Sequence, residues 1–225
     1  MDALLRRRQM MLAGGGSPTP PTPTWLVFYD RLIFDGTAYI ETDIIPDSND
    51  SYRVTLGNET QKKAQRYFLL ATENSGFTGV FLGSSTNSTK RYFSVYYGST
   101  STKATPTMNF STTETTVWLT PHKFGYGSTA TSTFTKGSNA PSGPLVIGQS
   151  PSGVGQPFTG RMGWFRVYGS DAENCAKSTD FDSYTPKYFL RPCTYNGEAG
   201  LWCEETRKFY GNSAGSGTLT VLNNS

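Results

Sequence analysis

The stretch Gly160–Tyr168 constrains the fold more than any other part of the chain, because its large side chains alternate with a period of two. Successive side chains of an extended strand point to opposite faces, so Phe165 and Val167 would face one side while Trp164 and Arg166 face the other. One face is then apolar and the other amphipathic. Since an apolar sheet face has to be buried against a second layer, the pattern predicts a two-sheet antiparallel sandwich.

Short segments of similar character recur along the chain, each bounded by Gly, Asn, Ser or Pro. Charged residues make up 16% of the chain and aromatic residues 14%, and this composition with 24 glycines favours short strands joined by tight turns. The predicted strands are 25–29, 32–42, 52–56, 66–71, 79–82, 91–97, 116–120, 123–126, 131–135, 145–148 and 160–168, with polar turns at 84–89 and 98–107. A brief helical turn is expected only at 172–176 or 181–184. The chain is therefore expected to fold into one all-β domain.

The first 24 residues differ in composition from the rest and divide into two parts. Residues 1–13 combine helix formers with apolar and basic side chains, whereas residues 14–24 form a Gly-, Pro- and Thr-rich linker. We interpret the first part as an anchoring peptide, the second as a spacer, and residues 25–225 as the folded body. The side chains expected to form the anchor are Leu4, Leu5, Arg6, Arg7, Arg8, Met11 and Leu12.

Two other interpretations of the N-terminal region stay open. A signal peptide is one of them, although the apolar run Met10–Ala13 is shorter than the segment that export requires. A tail without a specific task is equally compatible with the composition. The sequence also has no apolar stretch long enough to span a membrane, so no membrane partner is expected.

The charge of the chain argues against a nucleic-acid partner. The formal net charge is only +3, the isoelectric point is near 8.7, and part of the excess is confined to Arg6, Arg7 and Arg8. A zinc site is equally unexpected, because His122 is the single histidine and no Cys-x-x-Cys motif is present.

The cysteines leave two hairpin geometries open. Cys193 and Cys203 flank the loop around Asn196 and Gly197. A hairpin centred on Glu198 would place the two cysteines opposite each other, where they could form a disulfide. A two-residue Asn-Gly turn would instead pair Cys193 with the glycine at position 200 and leave two small buried thiols.

Several segments together resemble concanavalin A-like, or laminin-G-like, jelly rolls of phage and prophage structural proteins from gut bacteria. The segments that carry the resemblance are 34–42, 157–168, 190–193, 196–197, 208–212 and 215–220, and residues 1–8 also resemble the start of Bacteroides phage structural proteins. The chain departs from the pattern after Leu201, where Trp202 and Cys203 stand in place of the usual acidic residue.

The resemblance implies a jelly-roll sandwich with an extended N-terminal arm, in a non-enzymatic virion protein such as a fibre or decoration protein. It implies assembly in the bacterial cytoplasm, contact with other virion proteins through the arm, a homo-oligomer with a trimer favoured, and a host surface glycan as a ligand. A secreted or surface-attached bacterial carbohydrate-binding module or adhesin is the first alternative. A glycoside hydrolase is the second, because these enzymes share the sandwich fold.

Glycan binding requires an exposed aromatic platform with polar partners beside it. The candidates for this platform are Trp118, Phe124, Tyr126 and Trp164. Sandwich cores also consume aromatic residues, so burial in the core is the competing interpretation for each of them.

Calcium is the only metal for which the sequence offers candidate ligands. Asp43, Asp47, Asn49 and Asp50 cluster in one strand-to-loop region, and hard oxygen ligands grouped in this way could hold Ca²⁺. Their spacing matches no fixed calcium loop, and Asp and Asn are also common turn residues. Apart from calcium, no cofactor is expected.

Catalysis has little support in the sequence. Glu41 and Asp43 would project from one strand face, but hydrolases of the resembled fold typically carry a third carboxylate in register, and position 45 is Ile. His122, flanked by Pro121 and Lys123, looks like a turn residue rather than the base of a catalytic triad. We therefore expect no catalytic residues.

Overall fold

The computed structural model describes residues 25–57, 67–71, 80–87, 90–98, 107–108, 114–141, 143–149 and 156–223. The predicted anchoring peptide 1–13 and linker 14–24 lie outside these residues. Within the described part, no helix is long and apolar enough to cross a membrane.

Strands are the main regular secondary structure of the described residues. In chain order these are β1 (Leu26–Phe28), β2 (Arg31–Asp35), β3 (Ile40–Glu41), β4 (Ser51–Gly57), β5 (Tyr67–Ala71), β6 (Val80–Asn87), β7 (Lys90–Tyr97), β8 (Thr107–Met108), β9 (Thr115–Leu119), β10 (Lys123–Tyr126), β11 (Thr129–Thr133), β12 (Val146–Ile147), β13 (Gln156–Pro157), β14 (Thr159–Tyr168), β15 (Tyr188–Tyr195), β16 (Glu198–Cys203), β17 (Lys208–Tyr210) and β18 (Leu219–Leu222). Two 3-10 helices, Ser170–Ala172 and Ser178–Ser183, lie between β14 and β15.

The strands form two sheets. The larger has the order β11-β10-β9-β4-β14-β15-β16-β17, with β1 paired to β15 and β2 paired to both β14 and β18. The smaller has the order β3-β12-β5-β6-β7-β8, and β13 pairs with β5 in the one parallel pairing among the described strands. Side chains from both sheets form one continuous core, including Val54 and Phe165 from the larger sheet and Ile40 and Ile147 from the smaller. The predicted all-β, two-sheet antiparallel jelly-roll class is confirmed.

A second, smaller cluster lies on the outer face of the larger sheet. Trp118 and Tyr168 project from this face and pack under the segment that contains the two 3-10 helices, with Phe181 against both rings. Gly125 pairs with Trp118 on the neighbouring strand. A Cβ at position 125 would lie 1.9 Å from the Trp118 ring atom Cε2, so the indole occupies the space that a side chain would need. The larger sheet is therefore buried on both faces at this end.

The structure corrects two of the predicted segments. The predicted strand 32–42 is divided into β2 and β3 by a turn at Gly36, whose φ of +92° favours glycine. The Asp35 carboxylate fixes this turn by accepting hydrogen bonds from the backbone N–H groups of Thr37 and Ala38, at 2.8 and 2.9 Å. The predicted polar turn 84–89 is wrong for its first part, because β6 continues to Asn87.

The cysteines follow the second of the two hairpin geometries. Asn196 and Gly197 both have positive φ, and the resulting two-residue turn pairs Cys193 with Gly200. Cys193 belongs to a cluster on the outer face with Leu26 and Trp202, whereas Cys203 lies in the core between the sheets. All three cysteines are free and buried, and burial raises the pKa of Cys193 to about 12.

Candidate functional site

The candidate site lies where the larger sheet divides. On one side β15 pairs with β14 through Tyr188–Leu190 and then with β1 through Cys193–Tyr195. At the same level β14 leaves β15 and pairs with β2 through Thr159–Met162. The chain passes from β1 to β2 at this fork, where the Tyr29 N–H donates a hydrogen bond to the Pro192 carbonyl at 2.9 Å. The fork leaves a gap on the outer face of the sheet.

A β-bulge in β14 places Trp164 at this fork. The register of β14 against β4 shifts between Met162 and Phe165, so Gly163 and Trp164 together oppose Thr55. Met162 and Phe165 would face opposite sides of a regular strand, but both are buried in the core. The bulge therefore keeps both of these side chains inside while Trp164 points outward and stays partly exposed.

The gap forms a groove with a volume of about 340 Å³. Its lining combines aromatic rings with charged groups, and consists of Tyr29, Asp30, Arg31, Trp164, Phe189, Arg191 and Pro192. Concave sites with apolar rings and a few polar groups are typical of small-ligand binding.

Arginines and aromatic rings alternate across the sheet beside the groove. The guanidinium of Arg53 lies 5.1 Å from the centroid of the Trp164 ring, and that of Arg166 lies 4.5 Å from both the Trp164 and Phe189 rings. Further along, Arg191 lies 4.0 Å from the ring of Phe28. Such cation–π contacts restrict both partners, so Trp164 and Phe189 are held in place before any ligand arrives.

Carboxylates form salt bridges with three of the four arginines in and beside the groove. Arg31 forms a salt bridge with Glu114, Arg53 with Asp182 at 2.5 Å, and Arg191 with Glu204 at 3.0 Å. Among the described residues, Arg166 has no carboxylate partner, and its contacts are the two aromatic rings.

Of the four predicted platform residues, the structure places only Trp164 at the groove. The predictions for Trp118 and Phe124 are wrong, because both side chains are fully buried. Trp118 is covered by the segment between β14 and β15, and Phe124 lies in the core between the sheets. Tyr126 is half-buried and packs against the same core.

The sequence analysis did not identify the other residues in and beside the groove. The alternating pattern does place Arg166 on the same outer side of β14 as Trp164, and this could have identified it as a neighbour. Phe189 and Arg191 share the outer side of β15 in the same way, since Phe189 pairs with Arg166 and Arg191 with Trp202. No local signal places Tyr29 and Asp30 beside them, because that contact depends on the fork.

The four predicted calcium ligands are not brought together around one point. Asp43 forms a salt bridge with Lys208 and accepts a hydrogen bond from the Tyr210 hydroxyl. Asp47 and Asp50 share Lys187, while the Asn49 side chain accepts a hydrogen bond from Lys136. No group of three or more His, Cys, Asp or Glu side chains able to hold a metal ion is present in the described part of the chain. The three aspartates of this set are thus paired with lysine ammonium groups.

The carboxylates and the histidine considered for catalysis lie away from the groove lining. Glu41 and Asp43 are exposed on either side of the buried Thr42. Hydrogen bonds from Lys208 and Tyr210 lower the pKa of Asp43, so this carboxyl is not suited to act as a general acid. His122 lies in the turn between β9 and β10, where its backbone N–H donates a hydrogen bond to the Thr120 hydroxyl at 3.2 Å.

No protein-family model matches the chain, and no curated protein matches it. Among solved structures, the chain is similar to the native heptameric SAP-like pentraxin from Limulus polyphemus, with 10% identity and a TM-score of 0.46. The similarity covers 61% of this chain and 75% of the pentraxin chain. It concerns the fold alone.

Replacing Lys187 with Met tests whether lysine compensates the acidic cluster. The Asp50 side chain is only 2% exposed, and its Oδ2 lies 3.2 Å from Lys187 Nζ. Burial already raises the pKa of Asp50 despite its hydrogen bond from the Asp47 N–H and the charge of Lys187. Lys187→Met leaves this carboxylate buried without its cation, so we expect a loss of about 3 kcal/mol in the free energy of unfolding at pH 7.

The pH dependence of this loss follows from the direction of the pKa shift. Because the pKa of Asp50 is higher in the folded than in the unfolded state, ionisation of Asp50 destabilises the fold as the pH rises above the unfolded pKa. The difference between Lys187→Met and the wild type should therefore shrink in urea unfolding between pH 7 and pH 4. Lys208→Met is the matched control, since its partner Asp43 is 54% exposed, and a loss below about 1 kcal/mol is expected. Equal losses for Lys187→Met at both pH values would contradict this account.

Proposed function

We propose that this chain is a non-catalytic saccharide-binding protein whose jelly roll is presented at the end of its N-terminal arm. The observation that supports the proposal is the groove at the fork of the larger sheet, where a partly exposed Trp164 is flanked by hydrogen-bonding side chains. Neither Asp43, whose pKa is lowered by hydrogen bonds from Lys208 and Tyr210, nor His122 lines the groove, and this supports binding rather than bond cleavage as its function.

The lining supplies the two kinds of contact that a sugar ring uses. The apolar face of a pyranose, made of C–H groups, can pack on an indole, which combines a large apolar area with a fixed orientation. Arg31 and Arg191 can donate hydrogen bonds to sugar hydroxyls, and Asp30 can accept them. Because cation–π contacts and salt bridges already hold Trp164 and the two arginines, little conformational entropy is lost on binding.

We further propose that the protein is part of a phage particle, as a fibre or decoration protein docked through residues 1–13. This part of the proposal rests on the sequence resemblance and on the basic, apolar peptide followed by a Pro- and Thr-rich spacer. Repeated display on a particle, as a homo-oligomer, would convert weak single-site binding into strong attachment. A secreted bacterial adhesin would use the same groove, and an N-terminus processed after Ala13 would favour that alternative.

Trp164→Ala tests the groove as the saccharide site. Loss of the stacking surface should weaken binding by about tenfold or more, because an aromatic contact contributes about 1 kcal/mol beyond the area it buries. Binding is measured by glycan array and by calorimetry with the saccharides that score on it. Trp25→Ala is the matched control, since Trp25 is 52% exposed but does not line the groove. The proposal fails if the wild-type protein binds no saccharide, or if Trp164→Ala binds as well as the wild type while its thermal unfolding is unchanged.

Deletion of residues 1–13 tests the location on a particle. The truncated protein should fold with an unchanged circular dichroism spectrum but be missing from purified phage particles of the producing strain, as read by mass spectrometry. Normal incorporation of the truncated protein would contradict the anchoring role. Absence of the full-length protein from all particles, together with a mature N-terminus after Ala13, would favour the secreted alternative.

A further inference from the structure

Carboxylates do not neutralise the positive charges of all arginines on the outer face of the larger sheet to the same extent. Arg166 and Arg53 are directly opposite each other in the pairing of β14 with β4. Like charges in directly opposed positions of an antiparallel pair are destabilising unless a counter-charge lies nearby. The counter-charge in the described structure is Asp182, which bonds to Arg53 and is 58% exposed. The pair therefore keeps an excess positive charge.

The hydrogen-bonding capacity of the same two side chains is also incomplete. The Nε atoms of Arg53 and Arg166 are both buried, and no group within the described part of the chain accepts a hydrogen bond from either. Arg53 as a whole is 8% exposed. A buried donor without an acceptor destabilises a fold, and both of these donors belong to side chains that contact the Trp164 ring beside the groove.

Arg166 lies directly beside the groove. Its guanidinium is 4.5 Å from the rings of Trp164 and Phe189, and both of these rings line the groove. A ligand packed on Trp164 would therefore lie next to a guanidinium to which the described residues offer no carboxylate. Packing against the Trp164 ring would partly desolvate the ligand. A negative charge on the ligand is then attracted to the Arg166 guanidinium more strongly than it would be at the open surface.

From this juxtaposition we propose that the groove selects an acidic saccharide, whose carboxylate or sulfate group is bound beside Arg166 while its ring packs on Trp164. This inference rests on the proposed saccharide-binding function and names the ligand class for the same groove. Arg166 supplies the charge, and Arg191 at the other side of Phe189 supplies further donors. A neutral sugar would find the same aromatic surface but would leave the charge of Arg166 uncompensated.

Paired ligands that differ only in charge test the inference. The full-length protein is titrated by calorimetry with oligogalacturonate and its methyl ester, a sialylated oligosaccharide and its desialylated form, and a sulfated oligosaccharide and its desulfated form. For at least one pair we expect the acidic member to bind at least tenfold more tightly, with an affinity that falls as salt rises. In Arg166→Met, which keeps an apolar stem, the ratio should fall to within about threefold, while the affinity for the neutral member changes little.

Two further variants separate charge from fold. Arg166→Lys keeps the charge and should retain part of the preference. Lys177→Met removes a positive charge from an exposed side chain elsewhere and should leave the ratio unchanged.

The outcomes distinguish this inference from the function on which it rests. If a neutral saccharide binds through Trp164 with no preference for its acidic partner, the saccharide-binding function stands and the acidic-ligand inference is overturned. If Arg166→Met keeps the full preference, the inference is overturned as well. If no member of any pair binds, the saccharide-binding function itself fails. Tighter binding of a single-stranded oligonucleotide than of every acidic saccharide would also overturn the inference, since the face would then act as a general polyanion surface.

Discussion

Strand β14 is the element on which the core and the groove both depend. It pairs with β4 along most of its length, with β15 at one end and with β2 at the other. Its inner side chains Met162, Phe165 and Val167 are almost fully buried, so the register of the strand is fixed by the loss of apolar surface to the core. The bulge at Gly163 and Trp164 is the local adjustment that satisfies this register. Because the bulge points Trp164 outward at the fork, core packing determines the position of the groove.

The outer face of the larger sheet has three regions, two apolar clusters at its ends and a central region of arginines and aromatic rings. At one end Trp118 and Tyr168 are covered by the segment between β14 and β15, and at the other end Tyr195 stacks with Trp202 and Phe209. Between these two apolar clusters lies the alternation of arginines and rings that flanks the groove. Salt bridges compensate Arg53 and Arg191 in this central region, whereas Arg166 contacts two aromatic rings and has no carboxylate partner among the described residues. The groove therefore combines aromatic rings with a neighbouring guanidinium, that of Arg166, for which the described residues supply no carboxylate partner.

The alternating pattern of the sequence was sufficient to predict β14 and the split of its side chains between the two faces. It also predicted β10 with its observed bounds, Lys123–Tyr126. The same pattern could not distinguish Trp118 from Trp164, because both point away from the core between the sheets. What separates them is the segment around Phe181, which covers Trp118 and reaches it only through tertiary packing. The acidic residues show a similar limit, since Asp43 and Asp50 cluster in the sequence but take lysine partners more than 130 positions away.

A saccharide-binding groove around Trp164 is most directly tested by observing the four tryptophans during a titration. Each indole N–H gives its own NMR signal, which can be assigned with single Trp→Phe variants. On addition of a saccharide that the protein binds, the signal of Trp164 should shift most, while that of the fully buried Trp118 stays in place. A saturable shift of Trp25 or Trp202, with the Trp164 signal unchanged, would contradict the assignment of the groove.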